Sequence, residues 1–292
     1  VLTFNRTAYY FFSAIKLEKA IRPTLRRGDP VTARDKESYS IQSVENALDV
    51  LEALCEEEDE VRISRLSEKL GMNKTSVFRL LATFENRGYV EKEAHSGKYR
   101  LGLAAYEMGQ KFLSRMTLLR KTRPVMERLV RGCNEAVYLA MRRYNDVLFL
   151  DLVDNAQQVK VVSLVGKRYP LAACAAGKVI LSYLPEPPKP KRGNGSSAAA
   201  AEPQLSASDR SLIRQRGCWS DLGELGEGIA SVAAPIFSAG GELAGCLCLV
   251  GPDFRLPPEK IAAEFQPRLK EAAEMVSSRL GFVSNYLEKN PY

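Results

Sequence analysis

The sequence predicts an α+β chain of two domains: a small winged helix-turn-helix, then a larger mixed α and β domain. Three observations predict this. A length of 292 residues suits about two domains at roughly 100–200 residues each. Residues 41–101 read helix, helix, turn, helix, hairpin by apolar period and turn residues. From residue 136 onward, β-rich runs flank turn residues in pairs, with helical periods between them. The composition, 45% hydrophobic and 26% charged, excludes wholesale disorder, collagen and a disulfide scaffold.

Ile41–Leu54 (IQSVENALDVLEAL) places Ile41, Val44, Leu48, Leu51 and Leu54 at spacings of three and four, a helix. The acidic run Glu56–Glu60 reads as a solvated loop and Val61–Ile63 as a short extended piece. Ser64 is the expected cap of a second helix, Arg65–Leu70, stopped by Gly71. Asn73 is the expected cap of a third, Lys74–Arg87, stopped by Gly88. Tyr89–Ala94 and Lys98–Leu101 are strands joined at His95-Ser96-Gly97. Leu103 to Lys121 reads as a long amphipathic helix whose Ala105, Met108, Phe112, Met116 and Leu119 form a helix–helix seam. Pro124 suits the first turn of the next helix, ending near Gly132.

Beyond it, Val137–Met141, Val147–Val153 and Val159–Val165 read as strands, and Ala172–Leu184 as a helix. Residues 185–207 are rich in Pro, Gly, Ser and Ala and read as a flexible insertion. A short helix follows at Ser208–Arg216. The hairpin Ile229–Phe237 with Glu242–Val250 comes next, and an amphipathic helix, Pro258–Leu280, closes the chain. Residues 1–39 show no sustained period. They carry eight cations against four acids and read as a poorly ordered extension, with a phosphate-touching basic arm as the alternative. The apolar run at Ala8–Ile15 lacks a small-x-small cleavage site, so it is not read as a signal peptide.

The chemistry of residues 61–101 points to nucleic acid. Leu66, Leu70, Val77, Leu81 and Phe84 make one apolar face. Lys74, Thr75, Ser76 and Arg79 lie on the opposite face of the third helix, short polar groups at its start and a long cation a turn later. A recognition helix enters the major groove in this way, and an arginine at that point reaches guanine O6 and N7. Arg62 and Ser64 precede that helix, and Lys98 and Arg100 on the hairpin would lie near the backbone as a wing. Nine cations face four acids across the segment. The expected partner is a double-stranded DNA operator.

SVENALDVLEAL, followed by RISRLSEKLGMNKTSVFRLLATFENRGYVEKEAHSGKYRLG, resembles the winged helix-turn-helix of IclR-type bacterial transcriptional regulators. YPLAACAAGKVILSYLP and GCWSDLGELGEGIASVAAPIFSAGGELAGCLCLVGP resemble the second half of that family, and the match runs in order from about residue 40 to 283. The resemblance implies four parts: a DNA-binding domain at 40–102, a linker helix at 103–122, a GAF-like effector domain with a curved antiparallel sheet at 123–284, and a homodimer or dimer of dimers on a palindromic operator. It also implies an effector site. Ala175 and Ala176 would turn backbone amides toward an effector carboxylate, with Asp221 in a polar loop and Ser231, Cys248 and Val250 on strands. Relatives that bind small polar acids place serines at the last two positions. Cys248 and Val250 here imply a more apolar lining, and so an effector with an apolar or aromatic body and one carboxylate.

The sequence carries no motif of catalysis. The chain has no P-loop, GxSxG, HExxH or dinucleotide fingerprint, and its one histidine, His95, lies in the wing. No cofactor or metal is expected. The six cysteines, with no C-x-x-C pair, read as reduced thiols of a cytoplasmic protein, and no segment is apolar and long enough to span a bilayer. The competing reading is a small-molecule or redox sensor, or an enzyme-like domain with Asp221 and Glu224 as its carboxylate pair, with a vestigial helix-turn-helix; a redox or metal role would fall to Cys174, Cys246 and Cys248. Their alternative role is that of buried small hydrophobes.

Overall fold

The computed structural model describes residues 40–57, 59–185 and 205–283. The extension at 1–39 and residues 186–204 of the insertion lie outside the described residues. The chain divides into two compact units between Met108 and Gly109, and its class is α+β as the sequence predicts.

The first unit opens with α1 (Gln42–Cys55), which buries Val50, Ala53 and Leu54. Ile41, Val44 and Leu48 of the expected stripe stay exposed. The second helix, α2 (Ile63–Leu70), starts before Ser64, which lies inside it rather than capping it. Val61 bridges Tyr99 in antiparallel fashion, and the Arg62 carbonyl accepts from Arg65 and Leu66, so the chain turns helical one residue after leaving the hairpin. Gly71, at φ +65°, ends α2 in the left-handed region. The third helix, α3 (Lys74–Asn86), is capped as expected: Asn73 Oδ1 accepts from the Ser76 N–H at 2.7 Å. Strands β1 (Val90–Lys92) and β2 (Tyr99–Leu101) pair antiparallel. Leu66, Val77, Leu81, Val90 and Tyr99 form the core, with Leu70 and Phe84 packed partly buried against it.

The expected helix from Leu103 to Lys121 is two helices. Met116 adopts extended ψ (107°) between α4 (Leu103–Arg115) and α5 (Thr117–Cys133). Pro124 sits inside α5, not in its first turn. The helix tolerates it because Thr122, Val125, Met126, Leu129 and Val130 make a continuous buried stripe that holds it on the second unit's core. Thus the expected seam divides. Leu119 joins that core, whereas α4 buries nothing and leaves Met108 and Phe112 exposed.

The second unit is a six-stranded antiparallel sheet in the order β5-β4-β3-β8-β7-β6. Its strands are β3 (Ala136–Arg143), β4 (Asp146–Val153), β5 (Arg168–Pro170), β6 (Trp219–Leu222), β7 (Ile229–Phe237) and β8 (Leu243–Pro252). Three helices pack against the sheet: α5, α6 (Ala175–Tyr183) and α8 (Gln266–Arg279). A fourth, α7 (Ala207–Arg216), packs on α6, and Ser206 caps it. One face, with Val137, Leu139, Val232, Leu247 and Leu249, is covered by α5 and α8. The other, with Tyr138, Ala140, Ala233, Cys246 and Cys248, is covered by α6 and the segment before β5.

Several expected elements change here. Val159–Val165 forms no strand. Leu164 is buried, but Val159, Val162 and Val165 are exposed, and β4 takes its ladder partners from Arg168–Pro170 instead. Ala172–Leu184 is broken: a 3-10 turn (Leu171–Ala173) and an extended Cys174 precede α6. Pro258–Leu280 passes through a π-helical turn, Ile261–Phe265, before α8.

The helix break at Cys174 depends on Gly177. A Cβ built at this position would lie 1.9 Å from the Leu171 carbonyl oxygen. We therefore expect Gly177→Ala to cost about 3 kcal/mol or more of unfolding free energy in urea titration, since helix and turn must separate.

Candidate nucleic-acid interface and effector site

On the first unit, α3 exposes Lys74, Thr75 and Arg79, while Ser76 is half-buried with its amide held by Asn73. Burial of Val77 and Leu81 sets this orientation and turns the opposite face of α3 to solvent. The same face carries Phe78, 49% exposed, which the sequence reading did not select. Its position three after Thr75 was the available signal. Arg62 and Ser64 are exposed at the start of α2. In the hairpin, Lys98 is half-buried and Arg100 is exposed but engaged: its guanidinium donates to Glu91 at 3.0 Å and lies 3.7 Å from Glu60. The turn between the strands is braced by Glu93, whose Oε2 accepts from the Ser96 amide at 2.9 Å. The hydrogen bonds from Ser96 hold the Glu93 carboxyl below the usual range.

On the second unit, strand alternation gathers the expected effector residues on one sheet face. Asp221 pairs with Ser231, which pairs with Val250, and Cys248 lies opposite both Ala233 and Tyr138. Asp221 is on strand β6, not in a loop, a strand missed because its four residues carry no clear period. The Ala175 amide, the first of α6, donates to Asp221 Oδ2. The Ser231 hydroxyl donates to the same oxygen at 2.8 Å. Asp221 Oδ1 is buried and has no partner among the described residues. So in this structure Asp221 itself occupies the place where the sequence put an effector carboxylate. Burial pushes its carboxyl up to about 6, and Glu224 adds to this; the Ser231 hydroxyl, the Ala175 amide and Lys178 pull the other way. Lys178 is ion-paired with Glu224.

Ala176 is buried, and its carbonyl accepts from Cys246 Sγ at 3.8 Å. Burial pushes the Cys174 thiol up to about 12 and raises Cys246 and Cys248 as well, so these three are neutral packing groups. Among the described residues no group of His, Cys, Asp or Glu is placed to hold a metal ion, and no helix is long and apolar enough to cross a membrane.

Beside this cluster lies a cavity of about 380 Å³. Its apolar lining comes from Val161, Val162, Leu164, Tyr169, Leu225 and Ile229, all but Val162 packing in one cluster with Ala175, Cys248 and Val250. Two cations line it. Lys160 is bound to Asp154 at 2.8 Å, and Lys167 has no carboxylate partner among the described residues. None of these wall residues was singled out from the sequence. They come from the segment expected as a strand, from the ends of β5 and β7 and from the loop before β7, which only the closed fold brings together.

Comparison with known proteins gives two adjoining family matches. Residues 43–94 match the IclR helix-turn-helix domain, and residues 110–278 match the bacterial transcriptional regulator IclR C-terminal domain. The chain is 30% identical over 256 residues to the HTH-type transcriptional regulator KdgR of Escherichia coli (strain K12), covering 85% of this chain and 96% of that one. Two crystal structures share the fold. One is an IclR-type regulator from Alicyclobacillus acidocaldarius (TM-score 0.69, 22% identity, 83% of this chain, 100% of that one). The other is an IclR homolog from Microbacterium hydrocarbonoxydans complexed with 4-hydroxybenzoate (TM-score 0.63, 23% identity, 82% and 98%). A helix-turn-helix domain and a separate sheet domain, matched in order over most of the chain, place this protein among transcriptional regulators rather than enzymes: it belongs to the IclR family.

Proposed function

We propose that the protein binds a palindromic operator as a homodimer or dimer of dimers in the cytoplasm, and that an aromatic or apolar carboxylate bound in the second unit controls it. The exposed polar face of α3 carries this reading. Thr75, Ser76 and Arg79 read base edges in the major groove. Arg62, Ser64, Lys74, Lys98 and Arg100 meet the phosphate backbone. The exposed apolar residues of α4, Leu103, Tyr106, Met108 and Phe112, support pairing with a second copy.

For the effector, the cavity walls supply an apolar slot of the size of one aromatic ring with substituents. We assign its polar end to the neighbouring cluster of Ala175, Ala176, Asp221 and Ser231, with Cys248 and Val250, none of which lines the cavity directly in this structure. A structural relative bound to 4-hydroxybenzoate supports this ligand class. A ligand carboxylate arriving beside Asp221 is repelled while Asp221 is ionised. Protonated, Asp221 donates a hydrogen bond instead. The effector acts only through its different affinities for the DNA-competent and DNA-incompetent arrangements.

Two experiments test this. Selection from random DNA by the full-length protein should recover a palindrome with half-sites about one helical turn apart. On that site Arg79→Ala should lose about 10- to 100-fold in discrimination at one base position. Lys74→Ala should weaken all sequences alike and lower the salt slope by about one. No effect of Arg79→Ala would favour the sensor with a vestigial helix-turn-helix. Calorimetry with benzoate and 4-hydroxybenzoate should show affinity falling roughly tenfold per pH unit above about pH 6, because the bound state retains a proton on Asp221 that the free protein has lost. Asp221→Asn should flatten that profile. Binding of two- or three-carbon oxoacids alone would overturn the apolar-body reading.

A further inference from the structure

The wall of the cavity is held from outside. Residues 154–167 connect β4 to β5 without a strand of their own, and supply Lys160, Val161, Val162, Leu164 and Lys167 to the lining. The segment needs an anchor, since its backbone lacks a ladder partner over most of its length.

Glu135 and Arg255 meet where β3 begins and β8 ends, close to that segment. Glu135 is almost fully buried, between the end of α5 and the first residue of β3. Arg255 follows β8 by three residues. Its Nε donates to Glu135 Oε1 at 2.6 Å and its Nη2 to Oε2 at 2.9 Å, a two-pronged pairing. The remaining arm, Nη1, donates to the Val159 carbonyl at 2.9 Å. Glu135 Oε2 also accepts from the side-chain amide of Asn155 at 3.3 Å. One carboxylate and one guanidinium therefore grip the connecting segment at two points, Asn155 and Val159. The site is cleared for them: a Cβ on Gly251 would lie 2.8 Å from Glu135 Oε2. Neither Glu135 nor Arg255 lines the cavity.

We propose that Glu135 and Arg255 are positioning residues for the cavity, holding the 154–167 segment in place as its wall and so determining how firmly a ligand is retained. The ligand half of this proposal rests on the effector reading above; the anchoring half does not. A guanidinium suits the task because its three nitrogens point in separate directions, two to the carboxylate and one to the loop. A lysine ammonium at the same place neutralises Glu135 but does not reproduce the third, diverging contact.

The test uses the full-length protein and Arg255→Lys, with Glu135→Gln as a second variant. Hydrogen–deuterium exchange read by mass spectrometry should show amides of residues 155–167 exchanging roughly tenfold faster in Arg255→Lys, with β3 and β8 unchanged. Calorimetry should show benzoate bound about tenfold more weakly, and stopped-flow displacement should show it leaving about tenfold faster. Unchanged exchange at 155–167 overturns the proposal. So does an equal rise across β3 and β8, which would make the pair a general stabiliser. If the wild-type protein binds no aromatic carboxylate, the effector reading fails, and the exchange result still decides the anchoring.

Discussion

Burial of the central strands on both faces is the constraint on which the second unit depends. Strands β3, β8 and β7 are covered on one side by α5 and α8, and on the other by α6 and the segment before β5. In such a sheet a polar side chain must be satisfied within the protein or remain costly. That requirement picks out Asp221. Its carboxylate is on the inner face of the edge strand, answered at one oxygen by a helix-start amide and a hydroxyl, and at the other by no partner among the described residues. A two-sided core tolerates few such groups, so the incompletely paired acid marks the polar end of the candidate effector site.

The same constraint explains the other buried acid. Glu135 is almost fully buried and is paired on both oxygens by Arg255. Removing one partner of such a pair leaves a buried charge, which costs more than the pair contributes. The two acids thus stand in contrasting states. One is fully paired and anchors a connecting segment. The other is short of a partner, and burial raises its carboxyl toward neutral pH. Local pairing, rather than residue type, separates the two acids.

The first unit works under the opposite economy. Its core is small, centred on Leu66, Val77, Leu81 and Tyr99, and it leaves apolar residues of α1 and α4 in solvent. A domain this size has too little interior to cover every apolar side chain it carries. The faces left over, polar on α3 and apolar on α4, are the ones to which the proposed function assigns DNA and a second copy. Ion pairing tempers the wing: Arg100 is held by Glu91 and Glu60, so the hairpin presents less positive charge than its sequence suggests.

Local signals in the sequence determined a good deal. The Asn73 cap, the Gly71 stop, the period of α3 and the two hairpins beyond residue 136 are short-range features, carried by side chains that act on their own backbone. The family motifs extended that legibility to the order of the whole chain. Tertiary structure decided the rest, wherever two distant segments competed for one position. Val159–Val165 has strand composition, but β4 takes Arg168–Pro170 as its neighbour. Met116 breaks a periodic helix because Leu119 joins the core of the second unit while Met108 and Phe112 remain in solvent. Ser64 has the chemistry of a cap, but the bridge from Val61 to Tyr99 starts the helix earlier. The cavity wall and the Glu135–Arg255 grip join residues 120 positions apart. Such contacts leave no period or spacing in a single sequence, because only closure of the sheet brings their ends together.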